Sequence, residues 1–204
     1  VGSEMCIRDS TNIGFKLESI DADQVSIVYT TEKPYIEYVY KDLVEQAEDD
    51  SLFVEIGSYK GMSSAFMAVE IINSGKNIRF ECIDPMQLDV GSWSCNPDEQ
   101  DGYSEKEFHA RLESVKDHYK LHKMTSDDAV KQYDDASIDF LMVDGDHSYE
   151  AVKKDILNFL PKMRSGGIIV LDDSYELGIQ KAIAETVSNL DPVNNGVHCF
   201  IRIP

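Results

Sequence analysis

Apolar and polar positions follow two patterns along this chain, and together they predict alternating strands and helices from residue 32 onward. Short continuous apolar runs have the length of buried strands. They are SLFVEIG, NIRFECID, KLHKM, SIDFLMVD, GGIIVLDD and GVHCFIRIP. The segments between them carry apolar residues three and four positions apart, which is typical of amphipathic helices. These are EKPYIEYVYKDLVEQAE, MSSAFMAVEIINSG, SEKEFHARLESVKDHY, YEAVKKDILNFLPKM and GIQKAIAETVSNL.

Continuous apolar strands separated by amphipathic helices predict an α/β fold. We expect a doubly wound, mainly parallel Rossmann-like sheet with helices on both faces. Ligands bind to such sheets at the carboxyl ends of the strands, where the strand order reverses. The segment 85–103 interrupts the alternation as a long polar loop. Its Trp93 and Tyr103 either close over a substrate or hold the loop in place.

The chain divides into three parts by composition. Residues 1–10, VGSEMCIRDS, resemble a translated sequencing-library adapter, and we exclude them from the fold as non-native. Residues 11–31 are expected to form an incomplete N-terminal segment that serves as a lid or an interface. Residues 32–204 show no repeat or linker and are predicted to form one domain.

The charge balance excludes some classes of partner. The chain has 38 acidic residues and 19 basic ones. A nucleic-acid interface needs clusters of Lys and Arg, and none is visible in the sequence. No apolar run approaches the roughly 20 residues of a membrane span. We therefore expect a cytoplasmic protein that binds neither nucleic acid nor membrane.

Acidic residues follow the predicted strands at the points where they end. They are Glu55, Asp84, Asp144 and the pair Asp172 and Asp173. The carboxyl ends of parallel strands meet at one edge of a sheet, so these side chains are expected to share a crevice. Carboxylates that crowd together repel each other unless a cation lies among them. The pattern therefore predicts a cationic ligand, a metal ion or both.

The segment EIGSYKGMS places two glycines between a strand and a helix. Such a turn at a helix N-terminus can hold an anionic group. Tyr59 occupies the position of the second glycine of the dinucleotide-binding fingerprint, which disfavours a dehydrogenase. Asp84, after the next strand, can accept hydrogen bonds from a ribose diol. The pattern therefore indicates a nucleoside site.

S-adenosylmethionine carries a ribose, a sulfonium, an ammonium and a carboxylate, and it fits all of these features. The turn from Gly57 to Ser63 can hold its carboxylate at the helix N-terminus. Asp84 can bind its ribose, and Asp144 can face its ammonium group.

From about Tyr35 to its end, the sequence resembles the class I S-adenosylmethionine-dependent methyltransferases. The motif FVEIGSYKGMS is similar to that of the cation-dependent O-methyltransferases of the caffeoyl-CoA and catechol type. VDGDHSYE followed by SGGIIVLDD also resembles the macrocin O-methyltransferase and cephalosporin hydroxylase-like group. The fold usually has two strands after its last helix, so a second one here is either short or cut off. Related enzymes often dimerise, which implies a homodimer.

The resemblance implies roles for particular residues. Asp144, Asp172 and Asp173 would bind Mg²⁺ or another divalent cation, with Asp173 in place of the family's asparagine. His147 takes the position of the catalytic base. Ser126 and Asp127 would lie near the adenine. The implied cofactor-binding residues are Glu55, Gly57, Tyr59, Gly61, Ser63, Asp84, Ser126, Asp127 and Asp144.

Elementary chemistry is compatible with these roles. Carboxylates suit a hard divalent cation, which can stabilise an alkoxide or phenolate. A histidine with an ordinary pKa near ~6.5 can accept a proton at neutral pH. The leading hypothesis is metal-assisted O-methylation of a small hydroxylated acceptor, such as a sugar or secondary metabolite. A metal-independent methyltransferase and a non-catalytic nucleoside-binding module remain as alternatives.

The other acid and histidine side chains receive plainer interpretations. Asp146 is expected to act as a helix N-terminal acid or to support the site indirectly. Four further histidines lack an acidic companion at a strand end and are interpreted as ordinary surface or core residues. They are His109, His118, His122 and His198.

Overall fold

The computed structural model describes residues 36–86 and 105–204. Its helices are α1 (Ile36–Gln46), α2 (Met62–Ser74), α3 (Glu105–Leu112), α4 (Ser126–Ala129), α5 (Tyr149–Phe159) and α6 (Leu177–Thr186). Its strands are β1 (Leu52–Ile56), β2 (Arg79–Ile83), β3 (Lys120–His122), β4 (Ile138–Val143), β5 (Met163–Leu171), β6 (Val193–Asn194) and β7 (Cys199–Arg202). The predictions for residues 1–31 and for Trp93 and Tyr103 lie outside the described residues.

The strands form one seven-stranded sheet in the order β3-β2-β1-β4-β5-β7-β6. Strands β1 to β5 run parallel, and β7 pairs antiparallel with both β5 and β6. The strand order reverses between β1 and β4, so the loops after these two strands face a common crevice. The predicted doubly wound, mainly parallel sheet is therefore confirmed.

Each face of the sheet carries its own hydrophobic core. Along β1, Leu52, Val54 and Ile56 pack with residues of α5 and α6 on one face. Phe53 packs on the other face, with residues of α1, α2 and α3. Successive side chains of a strand point to opposite faces, so a strand buried on both sides must be apolar at every position but those with special partners. Glu55 is the exception in β1, and it falls on the face of α1 and α2.

Two elements differ from their predicted extents. The helix predicted over 104–119 ends at Leu112 and continues as 3₁₀ turns to His118, with a non-helical Val115. Val115 is buried, because the change of winding directs it into the core beside Leu112. The second strand after the last helix is present as the two-residue β6, which is too short to give a periodic signal.

Lys76 closes the end of α1 from the loop after α2. Its Nζ donates to the carbonyl oxygens of Val44, Glu45 and Ala47, at 2.9, 2.6 and 2.6 Å. The last carbonyls of a helix have no partner within the helix, and a cation there also interacts favourably with the helix dipole.

We expect Lys76→Met to lower the free energy of unfolding by about 1–3 kcal/mol, because charged hydrogen bonds to these carbonyls are lost. Chemical denaturation of the two proteins measures the difference. Lys41→Met is the matched control, since Lys41 is exposed on α1 itself. Equal stability of the Lys76→Met and Lys41→Met proteins would contradict this role.

Within the described ranges, no helix has both the length and the apolar character needed to cross a membrane.

Candidate active site

The loop after β1 meets the loop after β4 at the point where the strand order reverses. Gly57 has φ +90, and a Cβ built on it would lie 2.1 Å from the backbone oxygen of Asp144. Its N–H donates to the carbonyl oxygen of Ile83 at 2.9 Å, and the Asp144 N–H donates to that of Ile56 at 2.9 Å. Glycine is therefore required here both for its backbone conformation and for the space.

Gly61 serves the same loop differently. It has φ +77 and precedes the first residue of α2, and an added Cβ would lie 2.3 Å from Leu112 Cδ1. The absent side chain lets α3 pack closely against the loop. The 57–61 loop is thereby held between β4 and α3, with the N-terminus of α2 at its end.

Glu55 lies beneath this loop and is 1% exposed, and its role in cofactor binding stays a prediction. Tyr40 OH donates to Oε1 at 3.3 Å, while the hydroxyls of Ser58 (2.8 Å) and Ser64 donate to Oε2. Burial raises the pKa of Glu55, although hydrogen bonds from these side chains and from Ser63 oppose the shift. Glu55 therefore anchors the loop and the start of α2 from below.

Asp84 is held by backbone donors on both of its oxygens. Oδ2 accepts from the N–H of Tyr59 at 2.9 Å, and Oδ1 accepts from the N–H of Met86 at 2.7 Å. Tyr59 has φ +45, which brings its N–H towards β2. Each carboxylate oxygen has two lone pairs, so Asp84 can still accept further hydrogen bonds from a ligand.

His147 lies among acidic side chains after β4. Its Nε2 is 3.4 Å from Asp144 Oδ1, and its Nδ1 is 3.4 Å from both Asp173 Oδ2 and Glu176 Oε1. Asp144 and His147 come from the loop after β4, whereas Asp173 and Glu176 come from the loop after β5. The parallel pairing of these two strands brings the loops together.

The acids change the proton affinity of the histidine. Asp144, assisted by Asp173 and Glu176, raises the pKa of His147 to about 9 against an opposing effect of burial. Burial and the nearby Asp172 and Glu55 raise the pKa of Asp144, although His147 opposes the shift. The acids around His147 thus favour its protonated form, so its pKa lies above the ordinary value near ~6.5.

The donor set suits a divalent cation. One nitrogen of His147 and one oxygen each from Asp173 and Glu176 lie within 4.8 Å of one another. Imidazole and carboxylate groups are ordinary ligands of such ions. Asp144 contacts the same imidazole from its other side. The metal set predicted from the sequence, Asp144, Asp172 and Asp173, stays a prediction, and Glu176 is an acid that it did not include.

Asp172 has a partner that the sequence analysis missed. His198 Nε2, from the turn before β7, lies 3.0 Å from Asp172 Oδ1. Burial tends to raise the pKa of Asp172, but the close contact and charge of His198, assisted by the Asp173 backbone and His147, outweigh it, and the net shift is downward. The interpretation of His198 as a histidine without an acidic companion is therefore wrong, because antiparallel pairing of β7 with β5 brings the two together.

His122 also has an acidic companion, contrary to expectation. Its Nε2 lies 2.6 Å from Glu81 Oε2, which also accepts from Tyr133 OH at 3.0 Å. The parallel pairing of β2 with β3 puts Ile83 opposite His122, and Glu81, two residues earlier on the same face of β2, reaches the imidazole diagonally.

The two residues predicted to lie near an adenine are turned towards α5. Ser126 Oγ donates to Asp155 Oδ1 at 2.5 Å. Asp127 pairs with Lys154 and accepts from Asn158 Nδ2 at 2.9 Å. These contacts fix the start of α4 at the carboxyl edge of β3, and the adenine role of Ser126 and Asp127 stays a prediction.

Two residues of the site, Tyr40 and Glu176, escaped the sequence analysis because their partners are far along the chain. Tyr40 donates from α1 to Glu55, 15 positions later. Glu176 joins the cluster through the turn that Asp173 begins, where the Glu176 N–H donates to the Asp173 carbonyl at 2.9 Å. One feature of the sequence could have revealed such a contact. His198 is a polar residue in the mainly apolar segment GVHCFIRIP, which suggests a polar partner in the fold.

Comparison with known proteins gives a family and a set of structural neighbours. A family model described as a methyltransferase domain matches residues 54–174. The chain is similar to the O-methyltransferase NovP, with 17% identity, a TM-score of 0.65, and coverage of 82% of this chain and 79% of that one. The O-methyltransferase TomG from Streptomyces achromogenes, solved with SAM, is 14% identical at a TM-score of 0.55, covering 82% and 80%.

A curated relative from Sinorhizobium fredii is the uncharacterized protein y4gI. It is 29% identical over 125 residues, which are 59% of this chain and 13% of that protein. The chain therefore matches only a small part of that relative's length. The family match runs from Val54 in β1 to Ser174, so it includes the glycine loop, Asp144, His147 and Asp173, while Glu176 lies two residues beyond it. The chain belongs to the methyltransferase-domain family, and its fold is that of the class I S-adenosylmethionine-dependent methyltransferases.

Proposed function

We propose that this protein transfers the methyl group of S-adenosylmethionine to a hydroxyl of a small molecule, with a divalent cation at the acidic cluster. The proposal depends mainly on the position of His147. This potential proton acceptor lies among acidic side chains beside the glycine loop. The methyl donor would lie over the 57–61 loop, with its ribose on Asp84 and its carboxylate at the N-terminus of α2.

The residues of the crevice divide the chemical tasks. The glycine loop and Asp84 orient the methyl donor, and alignment of the reacting atoms supplies a large part of such a rate. His147 accepts the hydroxyl proton as the acceptor oxygen bonds to the methyl carbon and the sulfonium leaves as a neutral thioether. A divalent cation held by Asp173 and Glu176, or by the predicted aspartates, would favour ionisation of the acceptor hydroxyl and leave His147 free of the metal as the proton acceptor.

One observation favours a metal-independent variant of this function. The pKa of His147 is raised by the acids around it, and the imidazole contacts Asp144, Asp173 and Glu176 at once. An imidazolium in that place can offset the charge of the acids without a metal ion. The acids would then serve the methyl donor and the histidine only.

Calorimetric titration with S-adenosylmethionine and S-adenosylhomocysteine, with and without MgCl₂, tests the proposal first. We expect both to bind, and release of S-adenosylhomocysteine in the presence of hydroxylated test compounds then identifies acceptors. Full activity in excess EDTA would favour the metal-independent variant. Failure of both nucleosides to bind would overturn the methyltransferase proposal altogether.

We expect Asp84→Ala to weaken S-adenosylmethionine binding about tenfold, since it removes the ribose acceptor and the tether of the Tyr59 N–H. Calorimetry measures the change in affinity. Asp50→Ala is the control, because Asp50 is an exposed acid whose side chain bonds Asn77 at the opposite end of the sheet. Unchanged affinity in the Asp84→Ala protein would place the ribose elsewhere.

A further inference from the structure

A buried histidine from the far edge of the sheet contacts the acidic crevice. His198 is 2% exposed, and its Nε2 lies 3.0 Å from Asp172 Oδ1. Asp172 Oδ1 is buried and makes no well-aligned hydrogen bond within the described residues, so its 3.0 Å contact with His198 is that of an ion pair. The Asp172 side chain as a whole keeps 23% exposure, so Oδ2 is its more exposed oxygen, and the His198 imidazole lies against the other.

The backbone around His198 is held by its own turn. Asn195 Oδ1 accepts from the N–H groups of Val197 (3.0 Å) and His198 (2.7 Å), and the Asn195 N–H donates to the His198 carbonyl at 3.0 Å. The same turn is joined to the loop after β5, because the Ser174 N–H donates to the Val197 carbonyl at 2.7 Å. The imidazole is thus fixed relative to the loop that carries Asp172 and Asp173.

Within the described residues, the His198 imidazole makes its polar contact through Nε2, with Asp172. His198 Nδ1 is buried without a hydrogen-bond partner in residues 36–86 and 105–204. A buried polar ring is costly unless its hydrogen bonds are made. Leucine or phenylalanine would pack at this position without that cost. A histidine here therefore indicates that the Nε2 contact has a use beyond packing.

We propose that His198 is a positioning residue, which orients Asp172 so that its exposed oxygen can bind a divalent cation in the crevice. The inference rests on the metal-assisted form of the proposed function. Hydrogen-bond partners behind a metal-binding carboxylate fix its orientation, and their loss commonly weakens metal binding about ten- to a hundredfold. Asp172 adjoins Asp173, so a rotated Asp172 would also disturb the loop beside His147.

The test titrates the full chain with Mn²⁺ alone. Electron paramagnetic resonance measures the concentration of free Mn²⁺, which gives the affinity of the protein for the ion. We expect His198→Leu to weaken Mn²⁺ binding about tenfold or more. His198→Gln retains most of the affinity, because its amide nitrogen stands where Nε2 donates. His198→Asn loses affinity as the leucine variant does, because its shorter amide stops near the position of Nδ1. If the His198→Leu protein does not fold, the difference in Mn²⁺ affinity between His198→Gln and His198→Asn still tests the role of His198.

Phe200→Leu is the packing control. Phe200 is buried on β7, and its ring centroid lies 6.1 Å from that of His198. The change loosens the same region without touching the ion pair, and we expect wild-type Mn²⁺ affinity. Calorimetry with S-adenosylhomocysteine on each variant checks that the nucleoside site is intact.

Three results would overturn the inference. One is wild-type Mn²⁺ affinity in both His198→Leu and His198→Asn. Another is an equal loss in Phe200→Leu, which would make the effect one of packing. The third is a wild-type protein that binds no Mn²⁺. In that case S-adenosylhomocysteine binding, measured separately, still decides whether the methyltransferase proposal stands.

Discussion

Gly57→Ala is expected to weaken S-adenosylmethionine binding roughly ten- to a hundredfold, because a strained backbone position costs about 1–3 kcal/mol and about 1.4 kcal/mol corresponds to tenfold in affinity. The new methyl group would lie 2.1 Å from the Asp144 carbonyl oxygen and 2.4 Å from the carbonyl carbon. Both are backbone atoms, so no side-chain rotation relieves the contact. The loops after β1 and β4 must separate, and the cofactor loop and Asp144 then move together.

Gly75→Ala provides the matched control for this substitution. Gly75 also has a positive φ, +68, but an added Cβ would meet no atom within 4 Å. It ends α2, and the change is expected to lower the free energy of unfolding by about 1 kcal/mol with unchanged cofactor affinity. Calorimetry gives the affinities, and thermal unfolding shows whether each protein is folded. A Gly57→Ala protein with wild-type affinity would place the cofactor elsewhere.

His147→Asn is expected to lower kcat about a hundredfold or more, the usual contribution of a general base, with S-adenosylmethionine affinity largely kept. Release of S-adenosylhomocysteine with a responsive acceptor measures kcat. Asp146→Asn is the control, because Asp146 is an exposed neighbour whose Oδ1 accepts from the Ser148 N–H at 2.8 Å. An asparagine oxygen can make the same bond, so activity should persist.

The same base predicts a pH dependence with a definite sign. A proton acceptor must be neutral, and the pKa of His147 is raised to about 9 in the free protein. In the metal-free enzyme, kcat/KM should therefore rise with pH and level off above about 9. Mg²⁺ should move this rise to lower pH, since a nearby positive charge disfavours the imidazolium. A flat profile, or wild-type kcat in His147→Asn, would make another group the base.

Stability should change in the same pH range with the opposite sign. The folded-state pKa of His147 lies above its ordinary value of ~6.5, so the folded protein holds this proton more tightly than the unfolded chain. The contribution is fully present below ~6.5 and is lost as the pH rises towards about 9. The three acids around this imidazole therefore stabilise its protonated form in the folded protein.

Continuous apolar runs and strand-end acids were sufficient to predict the sheet, its doubly wound class and the positions of Asp144, Asp172 and Asp173 after β4 and β5. The glycine loop was predicted for the same reason, since backbone conformation and close approach demand glycine locally. Such features depend on residues that are near one another in sequence. The periodicity of the apolar residues and the order of the elements along the chain are enough to place the acids and the glycine loop at one edge of a parallel sheet.

Only the tertiary structure decided what each acid contacts. Strand alternation at β1 buries Glu55 beneath the loop, where the hydroxyls of Tyr40 and Ser64 donate to it. The β5–β7 pairing gives Asp172 its partner His198, and the turn after β5 brings Glu176 to His147. These contacts join residues from separate elements. They depend on the direction in which each side chain points and on the charges that surround it. For that reason the sequence determined where the carboxylates gather, while the fold determined the raised pKa of His147 and the partner of each acid.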